Sequence, residues 1–158
     1  MYNILFVCLG NICRSPMAEM IFKDIVYKNN KKFLFNCDSR ATSVEEYGNG
    51  IYPKAKKILE EHNITVEKHI SRVVKKDDYN KYQLIICMDQ GNYNSLLSIF
   101  GDDPDNKIKL LMSYTNKNVE IEDPWYTDRF ELVYDQIYEG CIALFNTLVN
   151  EYQNEANQ

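Results

Sequence analysis

The sequence predicts one α/β domain, a parallel sheet with helices packed on it, and a loop suited to an anion after the first strand. Three observations carry this. Four short strand-like runs alternate with helical patterns, as in successive βαβ units. Two of those runs are nearly continuous in apolar residues, as strands buried on both faces are. The chain of 158 residues shows no internal repeat and no linker, so one core is expected over 1–158.

The first strand is read at 3–7, where Ile4-Leu5-Phe6-Val7 is unbroken by a polar side chain. The first helix is read over 16–28 from Met17, Met20, Ile21 and Ile25, with Ser15 as N-cap and Pro16 at the first helical position. Glu19 stands four residues after Ser15, one too many for a capping box. Further strands are read at 33–37, 83–88 and 107–111. Helices are expected from about Tyr52 or Pro53 to His62, from about Gly91 to Phe100, and from about Asp128 to Tyr152. The last one aligns Phe130, Val133, Ile137, Cys141, Leu144, Phe145 and Leu148 on one face. From about 150 to 158 the chain turns polar and is expected to fray.

Composition excludes several classes. A net charge of −5 argues against a general nucleic-acid binder, which presents a basic face. No apolar stretch approaches the roughly 20 residues that span a bilayer, and the start of the chain lacks a basic region before its short apolar run. No membrane or nucleic-acid partner is therefore expected. The five cysteines stand at 8, 13, 37, 87 and 141 without a CxxC pair, so zinc ribbons and dithiol redox centres are poorly supported. Cys37, Cys87 and Cys141 read as buried core thiols. An odd, scattered set of thiols suits a reducing compartment, and a cytoplasmic location is expected.

Cys8-Leu9-Gly10-Asn11-Ile12-Cys13-Arg14-Ser15 joins the first strand to the first helix. A short loop running into a helix N-terminus can aim successive backbone N–H groups and a partial positive charge at one point. Arg14 offers a planar fork for two phosphate oxygens. Gly10 and Asn11 tolerate the left-handed backbone that such a cradle needs. Helix N-termini and neighbouring cations favour the thiolate form of cysteine, and Cys8 has both close by in sequence. Ser15 can donate a hydrogen bond to that sulfur. The segment has the equipment for nucleophilic phosphoryl transfer; a Walker-type loop is excluded because no Gly-Lys-Ser/Thr follows.

Cys8-(x)5-Arg14-Ser15 followed by Pro16-Met17-Ala18-Glu19, with Asp38-Ser39, Cys87-Met88-Asp89 and Glu122-Asp123-Pro124-Trp125-Tyr126, resembles the low-molecular-weight protein tyrosine phosphatases over nearly the whole chain. The resemblance implies a four-stranded parallel sheet flanked by helices on both faces, with no metal or organic cofactor. It implies phosphotyrosine proteins or peptides as substrates, inorganic phosphate as product, and a monomer or weak self-association. It assigns Cys8 as nucleophile, Arg14 as clamp on the phosphoryl oxygens and Asp123 as general acid, then base. Leu9 to Ser15 become the phosphate-binding loop.

Supporting roles follow by the same resemblance. Asn11, Ser15, Ser39 and His69 match positions that hold the loop's shape, and Asp89 is expected to support it from the end of the third strand. Ile12, Trp125 and Tyr126 are expected in the substrate cleft, with Glu45 at a position where the family often has tryptophan and Tyr47 as a candidate replacement wall. Cys13 matches a second cysteine that forms a reversible disulfide with the nucleophile. Arg40 and Arg72 are candidates to strengthen the local positive field, and His62 reads as a solvated helix end without a role. Two rivals share the fold. A thiol-coupled arsenate reductase needs a resolving cysteine pair that this chain lacks beyond Cys87, and protein-arginine phosphatases carry threonine where Ile12 stands. A catalytically silent phosphotyrosine-binding module is the non-enzymatic alternative.

Overall fold

Alternate residues of the first strand go to opposite sides of one sheet, and both sides are covered. The computed structural model describes residues 1–158. Strand β1 (Tyr2–Cys8) sends Ile4, Phe6 and Cys8 into the larger apolar cluster and Leu5 and Val7 into the smaller one. Helices α1 (Arg14–Lys28), α2 (Pro53–Glu61) and α5 (Phe130–Ala156) contribute to the larger cluster. Helix α3 (Gln90–Phe100) closes the other face through Leu96 and Phe100. Strand β3 (Leu84–Cys87) repeats the alternation, with Leu84 and Ile86 on the α1 face and Ile85 and Cys87 on the α3 face.

The four strands are parallel in the order β2-β1-β3-β4, where β2 is Phe35–Ala41 and β4 is Ile108–Leu110. The chain steps from β1 to one edge and then crosses to the other side, so the order reverses at the carboxyl end of β1. Cys8 stands at that end, paired with Ala41. On the α1 face, Phe22 packs on Phe6 with ring centroids 5.7 Å apart, on Phe35 at 5.4 Å and on Phe145 at 6.3 Å. Burying each such ring stabilises the fold by about 2–3 kcal/mol before the entropy of ordering it is counted.

Several expected bounds move. The second strand is Phe35–Ala41 rather than 33–37, and Phe33 and Leu34 belong to a short 3₁₀ turn, Lys32–Leu34. As an edge strand, β2 pairs with β1 on one side and is met on the other only by the bridge from Ala41 to Val73, so the polar run Asp38-Ser39-Arg40 can occupy it; hydrophobicity marks burial, not pairing. Ser15 does not cap α1. The helix starts at Arg14 with Cys13 before it and no side-chain cap, because the Ser15 hydroxyl is engaged elsewhere. Glu19 turns to β2 and Lys23, accepting from Ser39 Oγ at 2.6 Å and from Lys23 Nζ at 2.6 Å.

The last helix does not begin at Asp128. A separate turn, α4 (Pro124–Thr127), precedes it, and Asp128 at φ 59° breaks the path between the two. At its far end α5 runs to Ala156, so the expected frayed tail is helical almost throughout, with every side chain from 150 onward exposed. His62 is not merely solvated: its ring stacks on Tyr134 of α5 with centroids 3.8 Å apart, and Nε2 lies 2.9 Å from Glu131. No helix is long and apolar enough to cross a membrane.

Candidate active site

The loop after β1 wraps its first residue. Cys8 Sγ, on a residue 3 % exposed, accepts from the backbone N–H of Asn11 at 3.3 Å and of Ser15 at 3.4 Å, and Ser15 Oγ lies 3.0 Å away. Asn11 supplies the left-handed turn, at φ 58°. Gly10 does not adopt that conformation; its lack of a side chain matters instead because a Cβ there would stand 3.3 Å from Glu46 Cγ. The loop carbonyls are tied down from the 69–72 segment. His69 Nε2 is 2.7 Å from Asn11 O, so that nitrogen carries the hydrogen, since a carbonyl only accepts. Ser71 Oγ donates to Gly10 O at 2.8 Å.

A direction of hydrogen bonding follows from these contacts. Arg72 N–H donates to Asn11 Oδ1 at 3.2 Å, which leaves the Asn11 amide nitrogen to donate to Ser15 Oγ at 2.7 Å. Ser15 Oγ thus accepts from Asn11, and its own hydrogen is free for Cys8 Sγ. The relay runs Arg72, Asn11, Ser15, Cys8, and every member of it is fixed by a neighbour.

Arg14 is 2 % exposed and fully engaged on one side. Nη1 bonds Asp89 Oδ2 at 2.7 Å and Ile121 O at 2.9 Å, and Nη2 reaches Asp123 Oδ2 at 3.5 Å. Burial by itself would lower the guanidinium pKa, but the charges of Cys8, Asp89 and Asp123 outweigh it and hold it above the ordinary value. Asp89 is doubly used. It caps α3 by accepting from Asn92 N at 2.7 Å, and it orients Arg14. Asp123 caps α4 through Trp125 N at 3.0 Å, while its other oxygen faces Arg14. Burial pushes the Cys13 thiol well up, and the charges of Cys8 and Asp123 act in the same direction.

Above the loop is a narrow cleft of about 60 Å³. Cys8, Leu9, Gly10, Asn11, Ile12, Cys13 and Arg14 form its floor; Asp123, Trp125 and Tyr126 form one side, and Ser43, Glu45 and Glu46 the other. Trp125 is half exposed and rests edge-on against Tyr52, with centroids 5.0 Å apart.

A protein-family model described as "Low molecular weight phosphotyrosine protein phosphatase" matches residues 3–154. The chain belongs to that family. It is a protein tyrosine phosphatase, a hydrolase of the low-molecular-weight type. The chain is 40% identical over 146 residues to the low-molecular-weight phosphotyrosine protein phosphatase of Gallus gallus, covering 89% of this chain and 92% of that one. It is 36% identical over 155 residues to the low-molecular-weight protein-tyrosine-phosphatase YfkJ of Bacillus subtilis, covering 97% and 99%. The crystal structure of YfkJ superposes with a TM-score of 0.93 over 96% of both chains. A protein tyrosine phosphatase from Entamoeba histolytica, crystallised with Hepes in its active site, is 31% identical with a TM-score of 0.89, covering 96% and 99%.

Within this phosphatase the expected residues do not all converge. Ser39 makes no bond to the loop; β2 register sets it beside Phe6, and its hydroxyl is spent on Glu19. Tyr47 is 70 % exposed and does not line the cleft, because the tight turn closed by Tyr47 N–H on Val44 O directs Glu46 inward instead. Arg40 donates to its neighbour Ser39 O, and Arg72 serves the loop through its backbone N–H. Ser71, Ser43, Glu46 and the Ile121 carbonyl are contributors that the sequence did not point out. No motif marks them, because contacts between segments distant along the chain place each one beside the loop.

Proposed function

We propose that the phosphatase hydrolyses phosphotyrosine through a phosphocysteine intermediate on Cys8. The observation that carries the reading is the convergence on one sulfur of two backbone N–H groups, the Ser15 hydroxyl and a helix N-terminus, with Arg14 and Asp123 on the rim. The phosphotyrosine dianion docks on the loop amides and on the free edge of the Arg14 fork. Cys8 thiolate attacks phosphorus in line, the P–O bond to the ring breaks, and protonated Asp123 gives its proton to the phenolate oxygen. A water molecule then attacks phosphorus with Asp123 taking its proton, which returns the thiolate and releases inorganic phosphate. The Ser15 hydrogen stabilises the sulfur as it leaves. Ile12 in the floor and Trp125 and Tyr126 on the side favour a flat aryl group.

Cys13 we read as the resolving thiol. After peroxide converts Cys8 to a sulfenic acid, the Cys13 sulfur displaces hydroxide to form the disulfide, and water leaves with the Cys13 proton. The odd, scattered set of five cysteines without a CxxC pair supports a reducing compartment such as the cytoplasm. The arsenate reductase alternative finds no support, since Cys87 is fully buried in β3 with its thiol turned to Lys109 O.

The deciding assay offers the purified protein a phosphotyrosine peptide, a phosphoarginine peptide, and arsenate with a thiol donor. Fast phosphate release from the first alone is expected, and Cys8→Ser should abolish it while still binding phosphate by calorimetry. Preference for either other substrate, or substantial turnover by Cys8→Ser, overturns the reading.

A further inference from the structure

Beyond the phosphoryl site the cleft carries charge of one sign. Arg14 is the only cation that lines it, and Arg14 is buried and already paired. At the mouth, Trp125 and Tyr126 bring no charge, and Asp123 on the same side faces Arg14. The neighbours of that wall are neutralised: Glu122 pairs with Arg129, and Asp128 pairs with Lys54 at 2.6 Å. The opposite wall is different. Glu45 is exposed and Glu46 is half-buried, and neither forms an ion pair. Glu46 is held in place by Asn49 Nδ2 at 2.8 Å and by packing over Gly10.

Resting on the phosphotyrosine reading above, we propose that Glu45 and Glu46 select phosphotyrosine segments flanked by lysine or arginine and disfavour acidic ones. With the phosphoryl group on the loop, a tyrosyl side chain holds the peptide backbone at the mouth, where flanking side chains meet this rim. Cationic flanks then find two carboxylates that no cation of this chain pairs with. Acidic flanks meet like charge, and like charge across an interface is how wrong partners are rejected. Exposed charges act weakly one at a time, so the two together, attractive for one peptide and repulsive for the other, give a discrimination of about tenfold. It must also be sensitive to salt, because the Debye length shrinks from about 10 Å at 0.1 M to about 3 Å at 1 M.

The test compares three phosphotyrosine peptides of equal length, with lysine and arginine, with serine and alanine, or with glutamate and aspartate on both sides, alongside para-nitrophenyl phosphate. At low salt we expect kcat/KM for the basic peptide to exceed that for the acidic one by about tenfold, mainly through KM, and the ratio to collapse at high salt. The readout in each variant is the ratio between peptides, which a general loss of activity leaves untouched. The ratio should fall toward one in Glu45→Gln/Glu46→Gln and invert in Glu45→Lys/Glu46→Lys. Equal turnover of the three peptides by a protein that turns over para-nitrophenyl phosphate, or an unchanged ratio in the double variants, overturns this inference alone. No turnover of any of the four overturns the phosphotyrosine reading as well.

Discussion

The Ser15 hydroxyl hydrogen is available to Cys8 because of two groups upstream of it: Arg72 N–H orients the Asn11 amide, and the Asn11 amide saturates the serine oxygen. Asp123 is likewise shared between tasks, since one oxygen caps α4 and the other faces Arg14. Asp123→Asn keeps a capping acceptor but removes the proton that the proposed mechanism transfers, so it separates the two. On aryl phosphates with poor leaving groups, kcat should fall by about 10²–10⁴, with little change in thermal midpoint; wild-type turnover would mean that another group protonates the leaving oxygen. Cys13 is a weak nucleophile, because burial first and then the charges of Cys8 and Asp123 push its thiol toward the protonated form. After a peroxide pulse followed by thiol, wild type should regain most of its activity and Cys13→Ser markedly less. Equal recovery would remove the protective role.

At the scale of elements, α5 lies close enough to the turn Leu111–Tyr114 to leave no room for a methyl group at one position. A Cβ on Gly140 would stand 2.6 Å from Leu111 Cγ, and Leu111 is fully buried. Alanine has the higher helix propensity by about 1 kcal/mol, so the two effects oppose each other. Overpacking typically costs about 1–3 kcal/mol, and against a buried leucine it should win. Gly140→Ala is therefore expected to lower the urea midpoint rather than raise it; a raised midpoint would show that Leu111 repacks freely. The elements themselves were legible where burial and pattern coincide. The continuous apolar run of β1 and the one-sided face of α5 both stand where the sequence puts them, and each of the seven α5 face residues from Phe130 to Leu148 is buried. The misread elements are those that tertiary context overrides. β2 is paired by its neighbour although it is half polar, and Ser15 gives up the cap to serve the sulfur.

For the whole molecule, the site exists because the sheet order reverses beside β1. That reversal brings the carboxyl end of β3, with Asp89, to Arg14, and lets the chain return past Ile121 and Asp123 on the same side. The sequence by itself determined the make-up of the loop, because Cys8, Asn11, Arg14 and Ser15 are close along the chain and their meeting needs only a strand, a turn and a helix. It also determined the parallel sheet, through strands that are apolar on both faces. Only the tertiary structure decided which distant groups serve that loop: Ser71 rather than Ser39, and Glu46 rather than Tyr47. The physical reason is that period-two register and the tightness of a single turn set where a distant side chain points. A shift of one residue in either exchanges a buried partner for a solvated one.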